Sequence, residues 1–203
     1  MPKLLGNYED MQFTEQQKAF ILWAKDEYIK QISGTQPIPE KVMAMYEVID
    51  SINTDSFAPP RDQPSCRKGC AHCCYIQVAA TEWEVITILE YMKHIGLEFE
   101  ESDLQRIKDQ AAIKNDKDYI TSPHRKCVFL GEGNLCQIYE ARPAACRNYY
   151  VFSDPEECNT FNPNASGRTL VSFNIDSITP ILALMELSEM KPLAVHLLKQ
   201  LKK

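Results

Sequence analysis

A chain of 203 residues is long enough for one domain with its own buried core, without disulfide staples. Hydrophobic residues make up 44% and charged ones 25%, as in soluble globular proteins, and seven glycines are too few for a loop-dominated or disordered chain. The formal net charge of −6 argues against nucleic acid as a partner, because phosphate binding wants a basic surface.

The N-terminal stretch from Met1 to Asp10 has no apolar h-region and turns acidic at once, so no secretory signal is expected. No apolar run approaches the roughly 18 residues of a membrane span. Both points predict a cytoplasmic protein with no membrane contact. Residues 13–33 then read as an amphipathic helix with Phe13, Phe20, Ile21, Ala24, Tyr28 and Ile32 on one face. Thr14 and Gln17 make its capping box, and Gly34 ends it. A second helix starts near Pro39, with Val42, Met45, Tyr46, Ile49 and Ile52 facing inward.

Residues 53–65 are polar, proline-rich and aperiodic, as in a linker. The linker delivers the chain to Cys66-Arg-Lys-Gly-Cys70-Ala-His-Cys73-Cys74, where Gly69 can supply a turn with positive φ. Tyr75 to Ala80 reads as a short buried extended piece. A helix follows, with Thr81 and Glu84 as capping box, a stripe of Val85, Ile88, Leu89, Met92 and Ile95, and Gly96 as stop. Another is expected from Ser102, capped with Gln105, through Leu104, Ile107 and Ala111.

From Cys127 the pattern changes. Cys127 to Leu130 and Leu135 to Ile138, around Gly131-Glu-Gly-Asn134, predict a small hairpin that makes neighbours of Cys127 and Cys136. Arg142-Pro143-Ala-Ala-Cys146-Arg147 reads as a short helical turn opened by proline. Residues 154–168 are loop-like and carry Cys158. Two helical runs, Pro180–Met190 with Thr179 as cap and Pro192–Lys202, close the chain.

The chemistry lies in the eight cysteines. Four thiols within nine residues converge on one point when a soft cation gathers them. A free thiol ionises near pH 8.5, so a group of thiolates needs a metal or nearby side-chain cations. Arg67, Lys68, Arg125, Lys126, Arg142 and Arg147 all lie within four residues of a cysteine. Cys70-x2-Cys73 has zinc-knuckle spacing, with Cys127 and Cys136 as a possible second pair. Cys66-x3-Cys70-x2-Cys73 places three thiols on one loop, as in iron–sulfur proteins, and has radical S-adenosylmethionine spacing, although a helix-rich chain does not suit that barrel. Cys74 is awkward beside Cys73, because successive side chains in extended chain point apart; it serves a second metal or is merely buried. His72 and His124 are nearby alternatives as ligands, more often found in supporting roles; His94 and His196 receive none. Four disulfides fit the even count but not a reducing compartment.

Together, Cys66-x3-Cys70-x2-Cys73-Cys74, Cys127-x-Phe129-Leu130 and Cys136-x-Ile138-Tyr139-x2-Arg142-Pro143-x2-Cys146-Arg147 resemble the CxxCxxCC cysteine-cluster family, over roughly residues 66–158. The family is described as zinc- or iron-chelating. The resemblance implies Cys66, Cys70, Cys73, Cys74, Cys127, Cys136, Cys146 and Cys158 as metal ligands, with Arg142 and Arg147 in the shell of the bound cofactor. Some members, flagellin lysine methylases, pair the motif with iron–sulfur chemistry and methyl transfer; nothing outside the cysteine blocks here matches a methylase.

The expected fold is mainly α, with a small β-hairpin in a cysteine-rich metal-binding core. A helical extension (1–52), the metal-binding domain (53–175) and C-terminal helices packed on the body (176–203) divide the chain. The expected function is a cytosolic protein holding an iron–sulfur cluster or zinc. The alternatives are a metal-dependent redox or group-transfer enzyme and a zinc-stabilised adaptor with a protein partner.

Overall fold

The computed structural model describes residues 13–56, 63–162, 164, 171–172 and 175–203. Among the described residues eight α-helices dominate: α1 (Glu15–Ile32), α2 (Ile38–Ser56), α3 (Glu82–Ile95), α4 (Glu101–Ala112), α5 (Asp116–Thr121), α6 (Ala144–Arg147), α7 (Ile175–Leu187) and α8 (Leu193–Gln200). The strands are short: β1 (Ala79–Thr81) pairs antiparallel with β4 (Met190–Pro192), and β2 (Tyr150–Val151) with β3 (Val171–Ser172). The chain is thus mainly α with minor β structure. The N-terminal stretch and the middle of the proposed 53–65 linker lie outside the described residues, and α2 runs on to Ser56 because Asn53 is buried and its amide donates to the Arg147 carbonyl at 3.2 Å.

Local signals set the helix ends. Thr14 accepts from the Gln17 N–H and the Gln17 side chain from the Thr14 N–H, closing the expected capping box. Thr81 and Glu84 do the same for α3, and Gly96 ends it at φ 69°, a left-handed conformation that costs glycine nothing. The α4 cap lies two residues before the expected Ser102: Asp103 accepts from the Glu100 N–H at 3.2 Å.

Pro180 does not open α7 but lies inside it. Proline has no N–H to give the Asp176 carbonyl four residues back. Thr179, expected as the cap, donates its hydroxyl to that carbonyl at 2.7 Å instead. Phe20 also departs from expectation. Ile21, Ala24 and Ile32 are the buried residues of α1, while Phe20, Leu22 and Trp23 are exposed.

Three apolar clusters hold the elements together. Ile21 of α1 meets Ile178 and Leu182 of α7. Val42, Met45, Tyr46 and Ile49 of α2 meet Ile181 and Leu184 of α7 and Ala144 of α6. The third joins Val85, Ile88 and Met92 of α3, Ile107 of α4 and Leu197 of α8 to Val128, Phe129 and Ile138, and Cys127, Cys136 and Cys146 pack against it.

His196 seats α8. It is fully buried, and its Nε2 lies 3.0 Å from the Glu189 carbonyl, which can only accept, so Nε2 carries the proton. Nδ1 is buried without a partner. Burial lowers the His196 pKa below its ordinary value, against the opposing pull of the Glu189 carbonyl and the Glu82 and Glu189 carboxylates, with Lys191 adding to the depression. A depressed folded pKa means the unfolded chain binds the proton more readily. The stabilisation is therefore complete above about pH 6.5 and is lost as pH falls through the folded pKa. Melting temperature is expected to drop between about pH 7 and pH 5, and less steeply in His196→Gln; parallel profiles would remove His196 as the cause.

Candidate metal centre

Four segments bring the cysteines together. The first is the loop from Cys66 to Cys74. Gly69 turns it at φ 86°, and the Cys70 N–H donates to the Arg67 carbonyl at 2.9 Å. A 3-10 turn over His72–Tyr75 ends it and carries Cys73 and Cys74. Such a turn rotates successive side chains by about 120° rather than 180°, so the two do not point apart as extended chain would require. Their thiols share a hydrogen bond.

The second segment is the expected hairpin, reduced to one bridge between Leu130 and Cys136. Gly133 (φ 63°) and Asn134 (φ 58°) turn the chain, and the Gly131 N–H donates to the Leu135 carbonyl at 2.9 Å. This turn lies against the first loop: a Cβ built on Gly69 would meet the Gly133 carbonyl oxygen at 3.9 Å. The Cys127 N–H donates to the Cys74 carbonyl at 2.8 Å. The third segment is α6, which carries Cys146 and follows Pro143 as expected. The fourth is a 3-10 turn over Pro155–Cys158, held near the first loop by His72 Nε2 against Glu156 Oε1 at 3.4 Å. Phe161, just beyond, stacks edge-on against Tyr75 at 5.0 Å, with the Arg125 guanidinium 3.6 Å from its ring centre.

All eight cysteines are free thiols and half-buried. Burial pushes Cys127 up to about 12 and Cys158 up to about 11, and raises Cys66, Cys136 and Cys146. Cys74 is raised by its hydrogen bond to Cys73 and then by burial. Cys73 alone moves down, because the Cys74 thiol donates to it, with help from Arg142. Left to themselves Cys66, Cys74, Cys127, Cys136, Cys146 and Cys158 are held toward the protonated form, and a bound cation would reverse that. Among the described residues, no three Cys, His, Asp or Glu side chains stand ready-made around a single ion. The donor set nevertheless suits a soft metal: eight reduced thiols, with Arg142 close enough to favour the thiolates of Cys73, Cys136 and Cys146.

The expected cationic shell divides by position. Arg142 is half-exposed, lies 3.8 Å above the Tyr139 ring and donates to the Tyr139 carbonyl at 2.9 Å. Arg147 is 2% exposed, and its donors go to Asp50, the Glu140 carbonyl and, at 3.0 Å, the Arg142 carbonyl. Its guanidinium also covers the Tyr46 ring at 4.1 Å. Arg147 therefore ties α6 to α2. Arg147→Met should lower stability by about 3 kcal/mol, chiefly from the two carbonyls left without donors, since Asp50 remains hydrated. Urea midpoints check this, and a loss below about 1 kcal/mol would exclude that structural tie.

Glu84 had been legible only as a helix cap. It is 1% exposed and accepts from the Tyr46 hydroxyl at 3.1 Å, the Thr81 N–H at 2.7 Å and the Ala144 N–H at 2.7 Å, the last fixing the start of α6. His124 meets Asp109 at 3.5 Å.

The CxxCxxCC family, described as a zinc- or iron-chelating domain, has a model that matches residues 65–165. This stretch is a CxxCxxCC domain. All eight cysteines fall inside it. No curated protein and no solved structure matches the chain. Among the described residues, no helix is long and apolar enough to cross a membrane.

Proposed function

We propose that the CxxCxxCC domain holds its metal as an iron–sulfur centre in a cytoplasmic protein. The observation that carries this is that Cys66, Cys74, Cys127, Cys136, Cys146 and Cys158, from four segments, all have Cys73 as an electrostatic neighbour. Three of them, Cys66, Cys70 and Cys73, share one loop, an arrangement suited to a cluster. Free thiols in this number belong in a reducing compartment. The metal would supply the positive charge that burial denies these sulfurs, and Arg142 would share that work.

The test is elemental analysis with an absorption spectrum, on protein purified without oxygen. Iron with matching sulfide and a broad band near roughly 400 nm is expected. Zinc without colour would overturn the iron–sulfur assignment and leave a structural zinc domain.

An enzyme needs room for substrate beside its metal. A small apolar cavity reaches Cys127 between Ile76–Val78, α4 and α8, but its roughly 20 Å³ holds one water-sized molecule. The adaptor reading has a firmer footing in α1, where Phe20 and Trp23 stand exposed with ring centres 6.0 Å apart and Leu22 lies between them in sequence.

A further inference from the structure

The adjacent pair Cys73-Cys74 lies where two groups of thiols meet. Cys158 belongs with the loop cysteines: its turn packs on the His72–Tyr75 turn, fastened by the His72–Glu156 contact and by Phe161 against Tyr75. Its electrostatic neighbours are Cys66, Cys70 and Cys73, and those of Cys66 are Cys70 and Cys73. On the other side, Cys127, Cys136 and Cys146 all pack against the buried cluster of Val78, Ile88, Val128, Phe129 and Ile138. Cys73 is an electrostatic neighbour of these three as well as of the loop group. Cys74 joins the three through its backbone, since its carbonyl takes the Cys127 N–H at 2.8 Å, and its sulfur neighbours those of Cys127 and Cys146.

We infer that the domain holds two separate four-cysteine centres, one on Cys66, Cys70, Cys73 and Cys158, the other on Cys74, Cys127, Cys136 and Cys146. A tetrahedral zinc site and a cubane cluster each take four thiolates, so eight thiols divide without remainder. Within one 3-10 turn, adjacent side chains diverge by about 120°, close enough to touch and far enough apart to serve different centres. That is the physical use of two consecutive cysteines. The first centre sits between two surface turns, and the second is anchored in the core.

The inference rests on the metal reading above, but the two fail differently. Metal and sulfide per chain are measured on the full chain purified without oxygen, and the loaded protein is alkylated with iodoacetamide and mapped by mass spectrometry. The expected result is two centres per chain, about two zinc ions or about eight irons, with all eight cysteines protected. The double variant Cys70→Ser with Cys158→Ser should keep half the metal and expose only Cys66 and Cys73. Cys136→Ser with Cys146→Ser should keep the other half and expose Cys74 and Cys127. A single centre per wild-type chain, or loss of all metal from the Cys70/Cys158 variant, would overturn the division while sparing the metal reading. No metal in the wild-type chain would sink both.

Discussion

Complete removal of the metal is expected to open the cysteine segments to trypsin while α1, α2 and α7 stay folded. The segments that carry the thiols are short: α6 spans four residues, the turn between Cys127 and Cys136 closes on one bridge, and the rest are 3-10 turns. Isolated pieces of that length do not hold themselves together. By contrast, α1, α2 and α7 pack through clusters that contain no cysteine. In small zinc domains the metal supplies on the order of 10 kcal/mol of apparent binding free energy, which is also folding free energy. The chain carries its own reporters in Arg67, Lys68, Arg125 and Lys126, all cleavable positions within two residues of a cysteine. Cleavage there should rise by at least about tenfold after chelation, with the helices retaining most of their far-ultraviolet dichroism. Unchanged cleavage after chelation confirmed complete would mean that packing alone holds the domain.

Replacing Glu84 by alanine should have the largest effect of any single substitution outside the cysteines, a loss of about 4 kcal/mol. Four donors converge on this buried carboxylate: the Thr81 and Ala144 N–H groups and the Thr81 and Tyr46 hydroxyls. Alanine leaves each of them buried without a partner, at about 1–3 kcal/mol apiece before relaxation. Glu84→Gln keeps an acceptor oxygen and should lose about half as much. Because the Ala144 N–H opens the helix that carries Cys146, the alanine variant should also retain less metal. Urea denaturation of the loaded protein with metal analysis reads both effects, and equal stability of the two variants would show that the oxygen glutamine retains carries no weight.

What could be read from the sequence was what is local. The capping boxes at Thr14 and Thr81 and the left-handed stop at Gly96 involve residues within a turn of one another, and the structure carries all three. The α1 stripe was harder to phase, because Phe20 to Ala24 is an unbroken apolar run with no polar residue to mark the outer face. Pro180 resembles a first-turn proline until Thr179 is seen filling the missing bond. The cysteine blocks identified the domain, but the company each thiol keeps depends on how turns far apart in the chain are stacked. Cys158 meets the first loop across a separation that no local pattern records. Glu84 shows the same limit: its cap to Thr81 is local, while its bonds to Tyr46 and Ala144 span the fold.

The pairing of β1 with β4 bears on how the protein is made. Ala79 lies opposite Pro192, more than a hundred residues away, and the Leu193 N–H donates to the Val78 carbonyl at 2.8 Å. Synthesis proceeds from the N-terminus, so every cysteine has been translated before the strand that clamps the exit of the cysteine loop exists. A nascent chain therefore presents its full complement of thiols while their frame is still open at one edge. Closure by β4 and α8 follows the last cysteine, so metal can reach the thiols before that edge is shut.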